Sequence, residues 1–160
     1  AVLQDNPWLD YIIYPGGEMP LPEEQFDLVL SFTVYEHLRQ PETTIRETFR
    51  ILKKGGLAIH LIDLGDHMYY GIDPAKQFNC LRYGKKTWEL MSMNRSIYVN
   101  RIRVSGWRKL HQDAGFTIIE EKPHIDEYCQ GLYANGKLKY LSNFFPEDRF
   151  ASNLMLVARK

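Results

Sequence analysis

The protein has 160 residues and a mass of 18.8 kDa, a length that predicts one domain with a buried core. Its 20 basic and 20 acidic residues cancel, and this zero net charge argues against a protein whose main partner is a nucleic-acid backbone. No run of about 18 apolar residues occurs, and residues 1–7 lack the basic and apolar stretches of a secretory signal, so we predict no membrane association. Two cysteines make neither a disulfide framework nor a metal cluster, which predicts reduced thiols and a cytoplasmic location.

The charges are unevenly distributed along the chain. Residues 1–38 contain seven acidic residues and no Lys or Arg, whereas residues 82–109 contain eight basic residues and one acid. One interpretation is two solvated faces of opposite sign. The other is that the basic stretch binds an anionic small molecule, with Arg101 and Arg103 as its anchors, because a guanidinium donates bidentately to carboxylate or phosphate. A salt bridge that stabilises the fold would use these arginines equally well.

The first half of the chain predicts alternating strands and helices. Residues 11–14 are β-branched and aromatic and predict a strand, which a turn at Pro15-Gly16-Gly17 ends. Residues 26–32 are nearly continuously apolar, as expected of a strand buried on both faces of a parallel sheet. A helix beginning at Pro41 and ending at Gly55-Gly56 leads to a second buried strand over 57–63. This strand–helix–strand order predicts a parallel pair.

The second half is less regular. Residues 64–104 show no clear period apart from a short predicted helix over 85–94, and such a long insert in a compact domain is typical of a functional cap. We then predict a helix from Ser105 to Gly115, a strand over 116–122 that Pro123 ends, a short helix near 137–143, and a last strand over 153–159.

Three motifs in this order resemble a known family. They are Phe26-Asp27-Leu28-Val29-Leu30-Ser31 followed by Glu36-His37-Leu38, then Arg50-Ile51-Leu52-Lys53-Lys54-Gly55-Gly56, then Ala114-Gly115-Phe116. Their spacing is similar to the second half of class I S-adenosylmethionine-dependent methyltransferases, closest to the small-molecule enzymes of the type 11 kind. The resemblance implies a partial Rossmann-like α/β sheet, mostly parallel with an antiparallel last strand and with helices on both faces. In the family the strand order is 3-2-1-4-5-7-6, and our predicted strands are strands three to seven.

One family feature is missing. Family members carry a Gly-rich loop that approaches the cofactor's amino-acid end, and this sequence contains no G-x-G. We therefore expect residues 1–160 to form a single incomplete methyltransferase domain that is inactive alone, with residues 64–104 as a cap over the acceptor site. Removal of the first half, its supply by another chain, and loss of cofactor binding are the alternatives.

The resemblance also implies where S-adenosylmethionine binds. Ligands of parallel sheets lie at the carboxyl ends of the strands. The family's cofactor-binding positions correspond here to Pro15, Gly16 and Gly17 after the first strand, and to Ser31, Phe32 and Thr33 after the second. A simple tight turn and plain packing at a strand end are the structural alternatives for these two groups.

Glu36, His37 and His67 are the candidate catalytic residues. Some family members hold a divalent metal with a Glu-x-x-Glu-His motif at this place and a later His, and here Thr33 replaces the first Glu. A metal held by Glu36, His37 and His67 is thus one alternative. Another is metal-free catalysis, with His67 as the general base and His37 as a base or a positioning group, and a third is a purely structural role. His60 is predicted to be a packed core residue, and His111 and His124 to lie on the surface.

These assignments lead to two competing functions. The first is a methyltransferase that modifies a small molecule, anionic in character, at a hydroxyl, with Tyr69 as a wall of the acceptor pocket. The second is a methyltransferase-like interaction module without activity, which forms a homo-oligomer through an exposed sheet edge. A different nucleotide-binding fold is a weaker third reading, since no phosphate-binding Gly loop is present.

Overall fold

The computed structural model describes residues 8–14, 17–68, 73–93 and 98–160. Four strands form one sheet in the order β1-β2-β4-β3: β1 is Phe26–Phe32, β2 is Leu52–Asp63, β3 is Thr117–Ile125 and β4 is Ala151–Arg159. β1 and β2 are parallel, as the sequence predicts, while β4 runs antiparallel to β2 and β3. The sheet is therefore mostly parallel with an antiparallel last strand, which confirms the predicted α/β class.

Five α-helices accompany the sheet in the described residues. They are α1 (Pro41–Ile51), α2 (Lys85–Ser92), α3 (Val104–Asp113), α4 (Glu127–Ala134) and α5 (Pro146–Arg149). Short 3-10 turns lie at Tyr35–His37, Pro74–Lys76, Asn79–Arg82 and Lys139–Asn143. α1 begins at Pro41 as predicted, because proline lacks the N–H that the first turn leaves unsatisfied.

The main core lies between α1, α3 and one face of the sheet. Ile45 of α1 and Trp107 of α3 are fully buried against Ala58 of β2 and Leu154 of β4. Alternate residues of β2 and β4 are buried, which is the period of two expected of a strand with one packed face. This packing fixes the carboxyl ends of β1 and β2 relative to each other.

Three predicted boundaries are wrong. Residues 11–14 form no strand and are exposed, since a strand needs a neighbour to bond and none of the described residues pairs with them. β2 begins at Leu52, five residues before the predicted start. Phe26 pairs with Leu52 and Leu28 pairs with Leu57, so the register between β1 and β2 shifts at this point. The extra residues of β2, including Gly55 with φ +80°, form a bulge. β3 continues through Pro123, which an edge strand tolerates.

The opposite side of β1 is open to solvent. β1 is at an edge of the sheet, and Leu28, Leu30 and Phe32 are 45, 66 and 72% exposed. Leu30 and Phe32 line an apolar pocket of about 430 Å³ together with Ile59 and Met155 of the neighbouring strands. The prediction that 26–32 is buried on both faces is therefore wrong for this strand.

A second cluster of buried residues lies in the segment predicted to be a cap and in the chain that follows β3. It contains Phe78, Trp88, Val99, Cys129, Leu141 and Phe150. Cys80 and Cys129 are buried free thiols, and burial raises the pKa of each to about 12. Among the described residues, no helix is both long enough and apolar enough to cross a membrane.

Candidate functional site

The carboxyl ends of β1 and β2 bring three predicted residues together. Glu36 and His37 lie in the 3-10 turn after β1, and His67 lies in the turn after β2. One carboxylate oxygen of Glu36 and one ring nitrogen from each histidine lie within 4.8 Å of one another. The two imidazole rings are 5.0 Å apart between centroids. Because parallel strands place their carboxyl ends at the same edge, residues 30 positions apart meet there.

Glu36 is buried without a hydrogen-bond partner. Its side chain is 3% exposed, neither carboxylate oxygen accepts a hydrogen bond, and the nearest histidine nitrogen, Nε2 of His37, is 3.7 Å from Oε1. Burial raises the pKa of Glu36, because an isolated carboxylate is costly to remove from water. A buried carboxylate without a partner is typical of a position that a cation or a proton donor completes.

Asp63 holds His67 in place. Nε2 of His67 lies 3.3 Å from Oδ2 of Asp63, while Oδ1 of Asp63 accepts the Gly65 N–H at 2.7 Å. A side chain at position 65 would lie 2.6 Å from Nε2 of Gln77, so this tight turn favours glycine. Burial alone raises the pKa of Asp63, but the hydrogen bonds from His67 and Gly65 outweigh it and lower the pKa. The hydrogen bond to Asp63 raises the pKa of His67.

A hydrogen bond to a backbone carbonyl orients the ring of His37. Its Nδ1 lies 2.7 Å from the carbonyl oxygen of Tyr98. A carbonyl only accepts hydrogen bonds, so Nδ1 carries the proton and Nε2 keeps the lone pair on the side of Glu36. The side chain of His37 is 41% exposed, which makes it the solvent-facing member of the cluster.

A third carboxylate borders the cluster. Asp66 is fully buried, its Oδ1 accepts the Met68 N–H at 2.9 Å, and its Oδ2 is without a hydrogen-bond partner. Burial raises the pKa of Asp66. The site thus combines three carboxyl groups and two imidazoles, a set that binds cations and moves protons.

Comparisons with known proteins point to one family. A family model described as "Methyltransferase domain" matches residues 2–60. Ajmaline N-methyltransferase of Rauvolfia serpentina is 38% identical over 60 residues, which are 38% of this chain and 19% of that protein. The fold is similar to that of a methyltransferase of Mesorhizobium loti, with a TM-score of 0.55 and 16% identity over 89% of this chain and 65% of that one. It is also similar to that of a methyltransferase of Methanosarcina mazei, with a TM-score of 0.55 and 12% identity over 89% of this chain and 63% of that one. Residues 2–60 are thus similar to a methyltransferase domain, and the chain shares the fold of these two methyltransferases.

These similarities agree with the methyltransferase resemblance of the three motifs. The sheet order β1-β2-β4-β3 is the order 4-5-7-6 of that resemblance. The matches span less than a third of the curated relatives, and the chain spans about two thirds of the length of these solved structures.

The residues predicted to bind the cofactor lie at the end of β1. Oγ of Ser31 is 2.7 Å from Nδ1 of His60, Phe32 points to the open face, and Thr33 turns the chain with φ +50°. Gly17 is exposed with φ +85°. Pro15 and Gly16 lie outside the described residues, as does Tyr69.

The two arginines predicted to anchor an anionic acceptor donate to backbone carbonyls. Arg103 is 5% exposed and donates to the carbonyls of Leu64, Asp148 and Ala151. Burial lowers its pKa to about 10. Arg101 donates to the carbonyls of Cys80 and Tyr83. All three guanidinium nitrogens of Arg103 donate to backbone oxygens, whereas Nε of Arg101 is buried without a hydrogen-bond partner. Both side chains connect segments of the fold that are distant in sequence.

Sequence reasoning missed several residues around the site. His111, predicted to lie on the surface, is fully buried beside His60, while His60 is in the core as predicted. The spacing of Val104, Trp107 and His111 on one helical face is the signal that identifies His111 as buried. Asp63 lies at the carboxyl end of β2, where the parallel-sheet rule predicts ligand-binding residues, but the sequence does not show that it contacts His67.

Proposed function

We propose that the protein is part of an enzyme that transfers a methyl group from S-adenosylmethionine to a small-molecule acceptor, at a hydroxyl. The observation that carries this proposal is the meeting of Glu36, His37 and His67 at the carboxyl ends of β1 and β2, in a methyltransferase fold. Asp63 supports it by orienting His67. The similarity of residues 2–60 to a methyltransferase domain supports methyl transfer in general, and the side chains of the cluster support the acceptor chemistry.

His67 is the proposed general base. It takes the proton of the acceptor hydroxyl while the oxygen forms its bond to the methyl group, and Asp63 stabilises the imidazolium that results. Glu36, His37 and the buried turn after β2 orient the acceptor and exclude water. Alignment of the reacting atoms is the larger share of the protein's task, because a sulfonium methyl group is already activated.

S-adenosylmethionine is the proposed cofactor and supplies the activated methyl group. Ser31 and Thr33 fit a role in holding it, since they lie at the carboxyl end of β1, where ligands of parallel sheets bind. Gly17 and its neighbours Pro15 and Gly16 are the further predicted contacts. Since the 160 residues contain no G-x-G, this chain supplies only one side of the cofactor site, and we expect it to be inactive alone.

A divalent metal fits the same cluster. The buried Glu36 oxygens without a partner, together with the nitrogens of His37 and His67, offer a carboxylate and two imidazoles. The Nδ1–H of His37 donates to a backbone carbonyl, as metal-bound histidines usually do. The ion would lower the pKa of an acceptor hydroxyl.

The anionic character predicted for the acceptor gains no support from Arg101 and Arg103, because both guanidinium groups donate to backbone carbonyls. The three carboxyl groups suit a neutral or cationic molecule instead. An amine is the competing acceptor atom, because a curated relative is named an N-methyltransferase. The buried free thiols support the predicted cytoplasmic location.

Titration calorimetry with S-adenosylhomocysteine tests the proposal. We expect weak binding by the 160-residue chain and clear binding by the polypeptide of the complete reading frame. Methyl transfer is then measured with a panel of matched alcohols, amines and carboxylic acids. Absence of binding by the complete polypeptide would contradict the proposal.

The open edge of β1 favours a second candidate, an inactive module that self-associates. Leu28, Leu30 and Phe32 are exposed on a strand whose outer backbone groups have no strand partner among the described residues. Two copies that pair through β1 around a two-fold axis would form one continuous sheet and cover these side chains.

Replacement of Phe32 by Lys is expected to convert such a dimer to a monomer, because a charge on the interface face is costly to bury. Sedimentation velocity of the wild type and Phe32→Lys gives the oligomeric state. Ile119→Lys, at an exposed position on the other edge strand, is the matched control and should leave the dimer intact. A monomeric wild-type chain would rule this candidate out.

A further inference from the structure

The segment of residues 98–101, the brace, crosses the turn that carries Glu36 and His37. The Asn100 N–H donates to the Glu36 carbonyl at 2.8 Å, and Nδ2 of Asn100 donates to the carbonyls of Tyr35 (2.8 Å) and Leu38 (3.2 Å). The Tyr98 carbonyl accepts from His37. The brace therefore holds the turn at four points, although it lies more than 60 residues away in sequence.

The geometry of Asn100 leaves little freedom. Its Oδ1 accepts the Ile102 N–H at 3.2 Å, so its amide oxygen and nitrogen are both engaged. The next residue, Arg101, has φ +62°, a conformation that costs energy for a residue with a side chain. The surrounding contacts hold Arg101 in this conformation, and it turns the Asn100 amide toward Tyr35 and Leu38.

The brace is itself anchored to the segment between β2 and α3. The Arg101 guanidinium donates to the carbonyls of Cys80 and Tyr83 and stacks over Trp88, while Nε1 of Trp88 donates to the Val99 carbonyl at 3.0 Å. These bonds connect residues 80–88 to the turn at Glu36 through a short, fully bonded path.

We propose that Asn100 is a positioning residue: its amide holds the Tyr35–Leu38 turn so that the Tyr98 carbonyl fixes His37 as the Nδ1–H tautomer. The consequence for the reaction rests on the proposed function, whereas the tautomer does not. With the brace intact, the lone pair on Nε2 of His37 always lies on the side of Glu36 and His67. Without the Asn100 amide, the carbonyls of Tyr35 and Leu38 lose their donor, and we expect the ring of His37 to rotate.

The experiment is long-range ¹H–¹⁵N NMR of histidine-labelled protein at about pH 8, which distinguishes the tautomers of neutral imidazole. Asn100→Asp keeps the shape and the acceptor of Ile102 but cannot donate to Tyr35 and Leu38. We expect the wild type to show His37 protonated on Nδ1 and Asn100→Asp to show mixed tautomers. Asn135→Asp is the matched control, since the Asn135 amide donates to a carbonyl in α4 and should leave His37 unchanged.

Asn100→Ser, a milder loss of the same donor, replaces Asn100→Asp if that variant does not fold. For the active polypeptide, we expect kcat to fall about tenfold with KM nearly unchanged, because only alignment is lost. An unchanged His37 tautomer in a folded variant, or an equal change in Asn135→Asp, would overturn the proposal. Since the NMR measurement needs no ligand, its result is independent of whether S-adenosylhomocysteine binds.

Discussion

Replacement of His67 by Asn is expected to slow methyl transfer by about 10²–10⁴-fold, because it removes the group that takes the acceptor's proton. Asn preserves a polar side chain next to Asp63 but does not accept a proton near neutral pH. Affinity for S-adenosylhomocysteine should stay within about threefold of the wild type, since His67 is proposed to act on the acceptor. Single-turnover methyl transfer by the polypeptide of the complete reading frame measures the effect.

His124→Asn is the matched control for this variant. His124 is an exposed histidine on β3, and its replacement should leave the rate unchanged. A folded His67→Asn enzyme that keeps more than about a third of the wild-type rate would exclude His67 as the base. The assay is repeated with EDTA and then Mn²⁺: a rate that falls and recovers supports the metal alternative, and an unchanged rate supports metal-free catalysis.

The pH profile gives a second readout of the same assignment. The hydrogen bond to Asp63 raises the pKa of His67, so a larger fraction of the imidazole is protonated at neutral pH than in an ordinary histidine. Because the base must be neutral, the rate should rise with pH through a range above the ordinary histidine pKa of about 6.5. Asp63→Asn should shift this rise to lower pH.

We expect the folded protein to lose stability at low pH because of a buried histidine. His60 is fully buried, stacks on Tyr35 with 4.1 Å between ring centroids, and lies 5.3 Å from His111. Burial, with a smaller contribution from His111, lowers the pKa of His60 to about 3. The folded state thus binds fewer protons than the unfolded state, whose histidine titrates near 6.5. The titration of His60 therefore leaves the free energy of unfolding unchanged above about pH 6.5 and lowers it as the pH drops toward 3.

At pH 4 the loss from His60 is about 3 kcal/mol, since each pH unit below the unfolded pKa costs about 1.4 kcal/mol. Burial also lowers the pKa of His111, which adds a loss of the same sign. His60→Phe keeps the ring and removes the titration, so it should lose about 3 kcal/mol less than the wild type between pH 7 and pH 4. Urea unfolding at both values measures this.

His124→Phe serves as the control for the acid experiment. Because His124 is exposed, its variant should keep the acid sensitivity of the wild type. His60→Phe itself loses the bond to Ser31, so its stability at pH 7 is compared separately from its pH dependence. Equal pH dependence of the wild type and His60→Phe would contradict the prediction.

The sequence predicts two strands within two residues of their observed bounds. Residues 26–32 and 153–159 are predicted within two residues of β1 and β4, since their apolar runs are pairing signals in themselves. Residues 11–14 have the same composition but form no strand, because pairing depends on a neighbour that local composition does not show. The bulge before Leu57 is likewise a matter of register between two distant strands.

The sequence likewise indicates some residues of the candidate site and not others. Glu36, His37 and His67 are found from motif resemblance, and the parallel-sheet rule explains why they meet. Asn100 has no signal in the sequence, because its partners lie more than 60 residues away. The anchor role of Arg103 stays a prediction, since a count of basic residues does not show that its guanidinium bonds to carbonyls inside the fold.

The position of β4 has a consequence for how the chain folds. β4 follows β2 and β3 in the chain but lies between them in the sheet, and Arg103 donates to the carbonyl of Ala151 at the first residue of β4. During synthesis, β2 and β3 therefore keep open edges until β4 has left the ribosome. Such late, long-range pairing slows folding and exposes unpaired strands to aggregation. Chaperone dependence during expression is the expected consequence of this topology.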